Sequence, residues 1–180
     1  MKKAALLFLT PFITLLCIAQ QSYTPTDNGS KVHFVIKNFA IKTGGDFSGL
    51  RGAIYFDPAK LAASSIDVSV DAATVDTDSE MRDDHLKEDE YFDVAKYPTI
   101  TFKSTKITTS NNPGRYYLFG NLTIKGTTKP VEFGFSATPQ EGGYLFEGEF
   151  EINRLDYKVG DKSISLQDNV KISLKVFAKK

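Results

Sequence analysis

Cysteine is nearly absent from this 180-residue chain, Cys17 being the only one. A lone thiol excludes an internal disulfide framework and any cysteine-rich metal site. Tryptophan is missing, and the two histidines, His33 and His85, stand in no metal-ligand spacing. Neither sign of charge dominates, because 22 basic residues face 22 acidic ones. A nucleic-acid partner calls for a basic field that this balance does not supply. A cationic membrane-surface patch is equally absent. No Gly-x-Ser-x-Gly elbow marks a serine nucleophile. The apolar run from Ala4 to Ile18 is broken by Thr10, Pro11 and Thr14 and falls short of the ~20 residues of a membrane-spanning helix.

That run reads as a secretory signal. Lys2 and Lys3 lead it, and Ala19 closes the tripeptide Cys17-Ile18-Ala19, small at its first and third positions. Residues 1–19 are the expected signal peptide and 20–180 the expected mature domain, placed in the periplasm or outside the cell, with no stable membrane insertion. Lipidation of Cys17 is disfavoured by the bulky Leu16 before it. Cleavage removes the cysteine together with Lys2 and Lys3, leaving 20 basic against 22 acidic residues. The remaining length, about 160 residues, suits one domain with a sizeable core.

What the mature region does contain is alternation with period two, the mark of half-buried strands. Val32, Phe34 and Ile36 begin it. Leu50 to Phe56 follow, stopped by Asp57-Pro58, and Ile66, Val68, Val70 and Ala72 alternate with Asp67, Ser69 and Asp71. Further runs centre on Ile100–Phe102, Tyr116–Ile124, Val131–Ala137, Tyr144–Ile152 and Val170–Val176. Eight strands, each apolar on one face, can close as a barrel or pack as a sandwich, with a filled or a hollow interior. Ser79 to Phe92 breaks the rhythm. It is too charged for a strand and predicts one or two short helices with Ser79 as N-cap and Glu80 in the first turn. A smaller helical turn is expected at Pro58–Leu61.

The acidic run Asp76-Thr77-Asp78-Ser79-Glu80 fails as a calcium loop. The template needs glycine sixth and glutamate twelfth, where this chain has Met81 and Lys87. Neither a metal nor a cofactor is expected. Arg82 is the more informative charge: it sits in the polar insert that would cover one end of the strands, where a guanidinium can donate several hydrogen bonds to an oxygen-bearing group. The alternative is an ion pair with Asp78, Asp83 or Asp84.

Ordered motifs then carry a resemblance. They are Ser30-Lys31-Val32-His33-Phe34, Phe47-Ser48-Gly49-Leu50-Arg51-Gly52, Val75-Asp76-Thr77 through Arg82-Asp83-Asp84-His85-Leu86, and Tyr97-Pro98-Thr99-Ile100-Thr101-Phe102. Gly120-Asn121-Leu122-Thr123-Ile124-Lys125-Gly126 and Ile152-Asn153-Arg154-Leu155-Asp156-Tyr157 complete the set. Over residues 22–179 the chain resembles the YceI-like family. The resemblance implies an all-β, lipocalin-like, eight-stranded antiparallel barrel with a short helical insert between the third and fourth strands. It also implies an exported, non-enzymatic carrier of a polyisoprenoid, an isoprenoid quinone or a similar long-chain amphiphile. Asn38, where many relatives carry histidine, shares strand parity with Ile36. Asn38 and Arg82 are the head-group candidates. The tail would lie against Val32, Phe34, Ile36, Ile66, Val68, Val70, Phe133, Phe135, Phe146, Phe150, Val170, Ile172, Leu174 and Val176. A second departure is Lys158-Val159-Gly160, where relatives often place glycine directly after the aromatic residue. Two other readings stay open: a secreted enzyme acting on such a lipid through Asp84 and His85, and a filled barrel serving as an interaction module. A homodimer is compatible with all three.

Overall fold

The structure, a computed structural model, describes residues 21–39 and 41–180. The expected signal at 1–19 lies outside the described residues. Nine strand segments form one antiparallel sheet: β1 (Ser22–Asn38), β2 (Ile41–Phe47), β3 (Arg51–Tyr55), β4 (Ser65–Asp71), β5 (Thr99–Thr109), β6 (Arg115–Ile124), β7 (Thr127–Gln140), β8 (Gly143–Asn153) and β9 (Asn169–Lys179). The order β1-β3-β4-β5-β6-β7-β8-β9 closes on itself through a β1–β9 ladder. β2 is not a ninth stave. It pairs with the second half of β1 (Val32↔Phe47 to Asn38↔Ile41), while β3 pairs with its first residues (Ser22↔Tyr55). Together β2 and β3 make one stave interrupted at residues 48–50, so the barrel has eight. Closure leaves the ring without a free edge.

Alternating sequence makes these strands because the pleat sends successive side chains to opposite faces. Along β4, Ile66, Val68 and Val70 turn inward while Asp67 and Ser69 meet Lys103 and Thr101 of β5 across the ladder. The β6–β7 turn holds two residues, Lys125 (φ 48°) and Gly126 (φ 68°). This left-handed pair matches the twist of a tight hairpin.

The two ends differ. At one end the connections are residues 56–64, 110–114 and 141–142, and the interior there is solid. Phe56 (3% exposed) sits at its centre, edge-on to Tyr116, Tyr144 and Phe146 at ring-centroid distances of 5.2, 5.5 and 5.5 Å. Such edge-to-face pairs add about 0.5–1.5 kcal/mol each beyond their burial. At the other end two long connections, residues 72–98 and 154–168, overhang the ring. The first carries helix α1 (Glu80–Lys87), shorter than the span expected from sequence, followed by irregular chain to Phe92. Ser79 holds the N-cap position, but its hydroxyl makes no capping bond. The expected turn at Pro58–Leu61 is present as a turn at Pro58 and Ala59, closed by Lys60 N to Asp57 O at 2.9 Å, and a 3-10 turn over Leu61–Ala63 follows it.

The candidate ligand cavity

Above the aromatic floor the barrel is hollow. A cavity of about 420 Å³ opens toward the end covered by α1 and the 154–168 connection, a size within the usual range of small-molecule pockets. Inward faces of β1, β4, β7, β8 and β9 form much of its wall. They place there every residue named above as tail lining, from Val32, Phe34 and Ile36 to Val170, Ile172, Leu174 and Val176. Phe133 and Phe150 stack face to face at 4.5 Å on this wall. Phe135 and Phe146 belong to both wall and floor, the former being 2% exposed.

Few polar groups interrupt this lining. Asn38 ends β1 at the mouth, on the inward parity of Ile36, and bridges to Leu166. Arg82, from α1, also lines the cavity. It is not paired with a carboxylate. Its Nε donates to Thr77 Oγ1 at 2.7 Å, and its Nη2 donates to the Thr77 carbonyl. Thr77 is 4% exposed and passes the contact on, its hydroxyl and its backbone N–H both donating to Asp83 Oδ1. The expected ion pair with Asp78, Asp83 or Asp84 is therefore replaced by a relay through a buried threonine. Helix geometry explains why Asp83 and Asp84 are not chosen, because residues one and two positions along a helix point away from each other. Nη1 of Arg82 has no partner among the described residues.

Two further residues at this end were not singled out as site residues. Arg154 is 4% exposed and binds the second overhanging connection like a hub. Nε donates to Gln167 O (3.1 Å), Nη1 to Val159 O (2.9 Å), and Nη2 to Asp161 O (2.8 Å) and Asp168 Oδ1 (3.3 Å). Four of its five N–H donors are spent on the protein, so its main part is to shape the cavity. Tyr157, 2% exposed, packs with Leu122 and Ile124 and lines the cavity. Its hydroxyl has no hydrogen-bond partner among the described residues, whereas no sealed side-chain oxygen or nitrogen among them lacks one; the hydroxyl therefore opens onto the cavity. Burial pushes its pKa up to about 12, and the nearby Asp156 charge acts in the same direction. A neutral phenol of this kind is a hydrogen-bond donor at any physiological pH. The signal was present in the Asn153-Arg154-Leu155-Asp156-Tyr157 motif, which marks chemistry only once the two side chains are placed.

Asp84 and His85 do not converge on each other. Asp84 accepts from Lys87 Nζ at 3.0 Å, and His85 Nδ1 lies 3.2 Å from Glu88 Oε2, with its ring edge-on to Tyr91. Among the described residues no three His, Cys, Asp or Glu side chains are grouped to hold a metal, and no helix is long and apolar enough to cross a membrane.

Comparison with known proteins agrees with this geometry. The sequence pattern of the YceI-like domain matches residues 23–178. A UPF0312 protein of Vibrio cholerae is 40% identical over 87 residues, 48% of this chain and 46% of that protein. One from Yersinia enterocolitica is 36% identical over 121 residues, covering 64% of this chain and 62% of its own length. The matched region thus spans less than two thirds of either relative. The crystal structure of Burkholderia cenocepacia BcnA superposes with a TM-score of 0.79 at 30% identity, over 83% of this chain and 96% of that one. A polyisoprenoid binding domain from Saccharophagus degradans, implicated in plant cell wall breakdown, shares the fold at 14% identity, with a TM-score of 0.71 over 87% and 97% of the two chains. With its eight-stave barrel and a domain match running almost from the first strand to the last, the chain belongs to the YceI-like domain family.

Proposed function

We propose that this protein is an exported carrier that holds the tail of a polyisoprenoid, an isoprenoid quinone or a similar long-chain amphiphile inside the barrel, with the head group at the mouth. One observation carries the reading: a largely apolar cavity of about 420 Å³ with Asn38, Arg82 and Tyr157 among its lining at the open end. Each methylene-equivalent moved from water onto such a wall contributes about 0.8 kcal/mol, so the tail supplies the affinity. Asn38, Arg82 through its free Nη1, and the Tyr157 hydroxyl are the groups suited to fix the head. The polyisoprenoid binding described for the Saccharophagus domain supports the ligand class by fold alone.

Carriage is favoured over catalysis because Asp84 and His85 are each engaged with another partner and share no target. It is favoured over a filled interaction module because only the floor of the barrel is solid. The test is mass spectrometry of organic extracts from the purified protein, followed by titration with a fluorescent isoprenoid. A co-purified long-chain amphiphile and saturable binding are expected. Arg82→Ala should weaken that binding by about 1.5–3 kcal/mol, the worth of a hydrogen bond from a charged donor, with lysine a poor substitute for the planar guanidinium. Clean extracts together with an absence of saturable binding would refute the reading. Equal affinities in wild type, Arg82→Ala and Arg82→Lys would remove Arg82 from the head-group site.

A further inference from the structure

The cavity is stopped in depth as well as walled at the sides. Val170 to Val176 on β9 and Ile152 to Phe146 on β8 run side by side down from the mouth, and Val176 and Phe146, the deepest of them, pack into the aromatic floor. Along a strand that stretch measures about 20 Å, and a tilt of about 35–45° brings the depth to about 15 Å. An extended carbon chain advances about 1.2 Å per bond, so about twelve main-chain bonds, or three isoprene units, reach the bottom. Volume gives the same length independently. An apolar cavity of about 150 Å³ takes a six-carbon ring, so the cavity of about 420 Å³ takes about 17 carbons.

The floor is braced. Phe135 is 2% exposed, and its ring lies 5.4 Å from Tyr116, 6.2 Å from Phe56 and 6.4 Å from Phe146. Tyr144 in turn holds Tyr23 edge-on at 5.3 Å. A ring packed on three others in a close-packed interior cannot swing aside without losing all of those contacts. Higher on the wall there is room instead. Gly148 takes an inward position of β8 between Phe146 and Phe150, opposite Leu174 of β9, and offers no side chain to fill it. The interior is thus roomy at mid-depth and blocked below.

We propose that this aromatic floor, with Phe135 as its stop, limits the length of the ligand tail. The barrel encloses a tail of about 15 carbons and selects amphiphiles of about 15–20 carbons over those of about 30 or more. With the head group held at the mouth the tail has one way to run, and each methylene left in water costs about fourfold in affinity. The limit rests on the proposed carrier function and narrows its ligand class.

Competition among tail lengths tests it. Purified protein is equilibrated in detergent with an equimolar mixture of geraniol, farnesol, geranylgeraniol, hexaprenol and octaprenol. It is then separated from the micelles, and the retained alcohols are extracted and quantified by mass spectrometry. Farnesol and geranylgeraniol should dominate, each exceeding octaprenol by at least about tenfold. Phe135→Ala removes a benzene-sized ring and should move the maximum up by about one isoprene unit. Leu174→Phe grows into the open space facing Gly148, so it escapes the cost of overpacking a filled core. It should raise the ratio of geraniol to geranylgeraniol by at least about tenfold. Should Phe135→Ala fail to fold, Leu174→Phe decides alone. The length limit is overturned if wild type retains octaprenol as well as farnesol, or if Leu174→Phe or a folded Phe135→Ala keeps the wild-type length profile. Those results leave the carrier function standing. Retention of no alcohol by wild type overturns the carrier function, and the limit with it.

Discussion

Replacing Arg154 should unhinge the mouth of the barrel while leaving its floor intact. The guanidinium is 4% exposed and donates to three backbone carbonyls and to Asp168. In Arg154→Met the side-chain volume is roughly kept, but those acceptors lose their donors. Each hydrogen bond from a charged donor is worth about 1.5–3 kcal/mol, and such values do not add within one group. Asp168 is a third exposed and water replaces part of its lost contact, whereas carbonyls folded around a buried hub are harder to rehydrate. Breaking a buried pair from one side costs about 3–5 kcal/mol, and the lower half of that range fits a partner this exposed. At about 2–4 °C per kcal/mol for a domain of this size, the melting temperature should fall by roughly 6–15 °C. The damage should be local first. Amides of residues 159–168 should lose hydrogen-exchange protection before those of β8 and β9, and release of a bound fluorescent isoprenoid should accelerate. Arg154→Lys should behave nearly as badly, since one ammonium cannot span four acceptors. A Met variant that melts within about 2 °C of wild type, under ~1 kcal/mol, with the connection still protected, would refute the hub account.

Phe135→Ala should cost about 3–5 kcal/mol by opening a cavity beneath the ligand site, and Phe135→Asp should fail to fold or to bind, because a carboxylate there would be buried without a partner; wild-type melting in the Asp variant would sink both expectations. Lys158 holds φ at 58° after the 3-10 turn over Arg154–Tyr157, so Lys158→Gly should stabilise the protein by roughly 0.5–1 kcal/mol, the relief of left-handed strain less the added chain entropy. Chemical denaturation would show it as a higher midpoint at unchanged slope. Tyr157 has a folded-state pKa raised to about 12, above its ordinary value near 10. Its stabilising contribution is therefore complete below pH 10 and lost as pH rises through 12, amounting to about 2–3 kcal/mol. Tyr157→Phe should lack that alkaline loss, and identical pH profiles for the two proteins would disprove it.

Strand periodicity was legible wherever a side chain marks every position. It failed at β2, whose centre is Lys42-Thr43-Gly44-Gly45. A Cβ on Gly45 would lie 2.6 Å from the ring of Phe34 and 2.7 Å from Thr77 Cγ2. Glycine is therefore required where the Phe34 ring and the buried threonine of the relay press against the strand, and the same glycine erases the alternation that would announce it. The cavity-facing parity of β1, β4 and β9 was legible for the opposite reason, since one face of each is apolar at every second residue. Polar partners were harder. Nothing in the order of residues shows that Arg82 selects Thr77 over three nearby carboxylates, because that choice depends on which way the helix turns its side chains. The 154–168 connection carried a weak signal, a stretch of Asp, Lys, Ser and Gly without period two. Its organising residue could not be read from that composition, because the acceptors of Arg154 are carbonyls, which every residue has.

The asymmetry of the barrel ends bears on how a ligand could exchange. Parting β8 from β9 would break a long ladder, paired from Gly143↔Lys179 to Asn153↔Asn169. The floor is no easier a route, since Phe56, Tyr116, Tyr144 and Phe146 would all have to move, together with the buried Phe135. The mouth is held by side chains and short backbone contacts: the Arg82–Thr77–Asp83 relay on one flank and the Arg154 hub on the other. Ala72 N to Pro98 O and Gly160 N to Glu90 O, both 2.9 Å, tie the two overhanging connections down. Local opening follows the lowest free energy, and connections with few buried apolar contacts open before a closed sheet does. Exchange at the mouth then asks for no distortion of the barrel, and it runs past the two arginines, Arg82 and Arg154, that hold the overhanging connections in place.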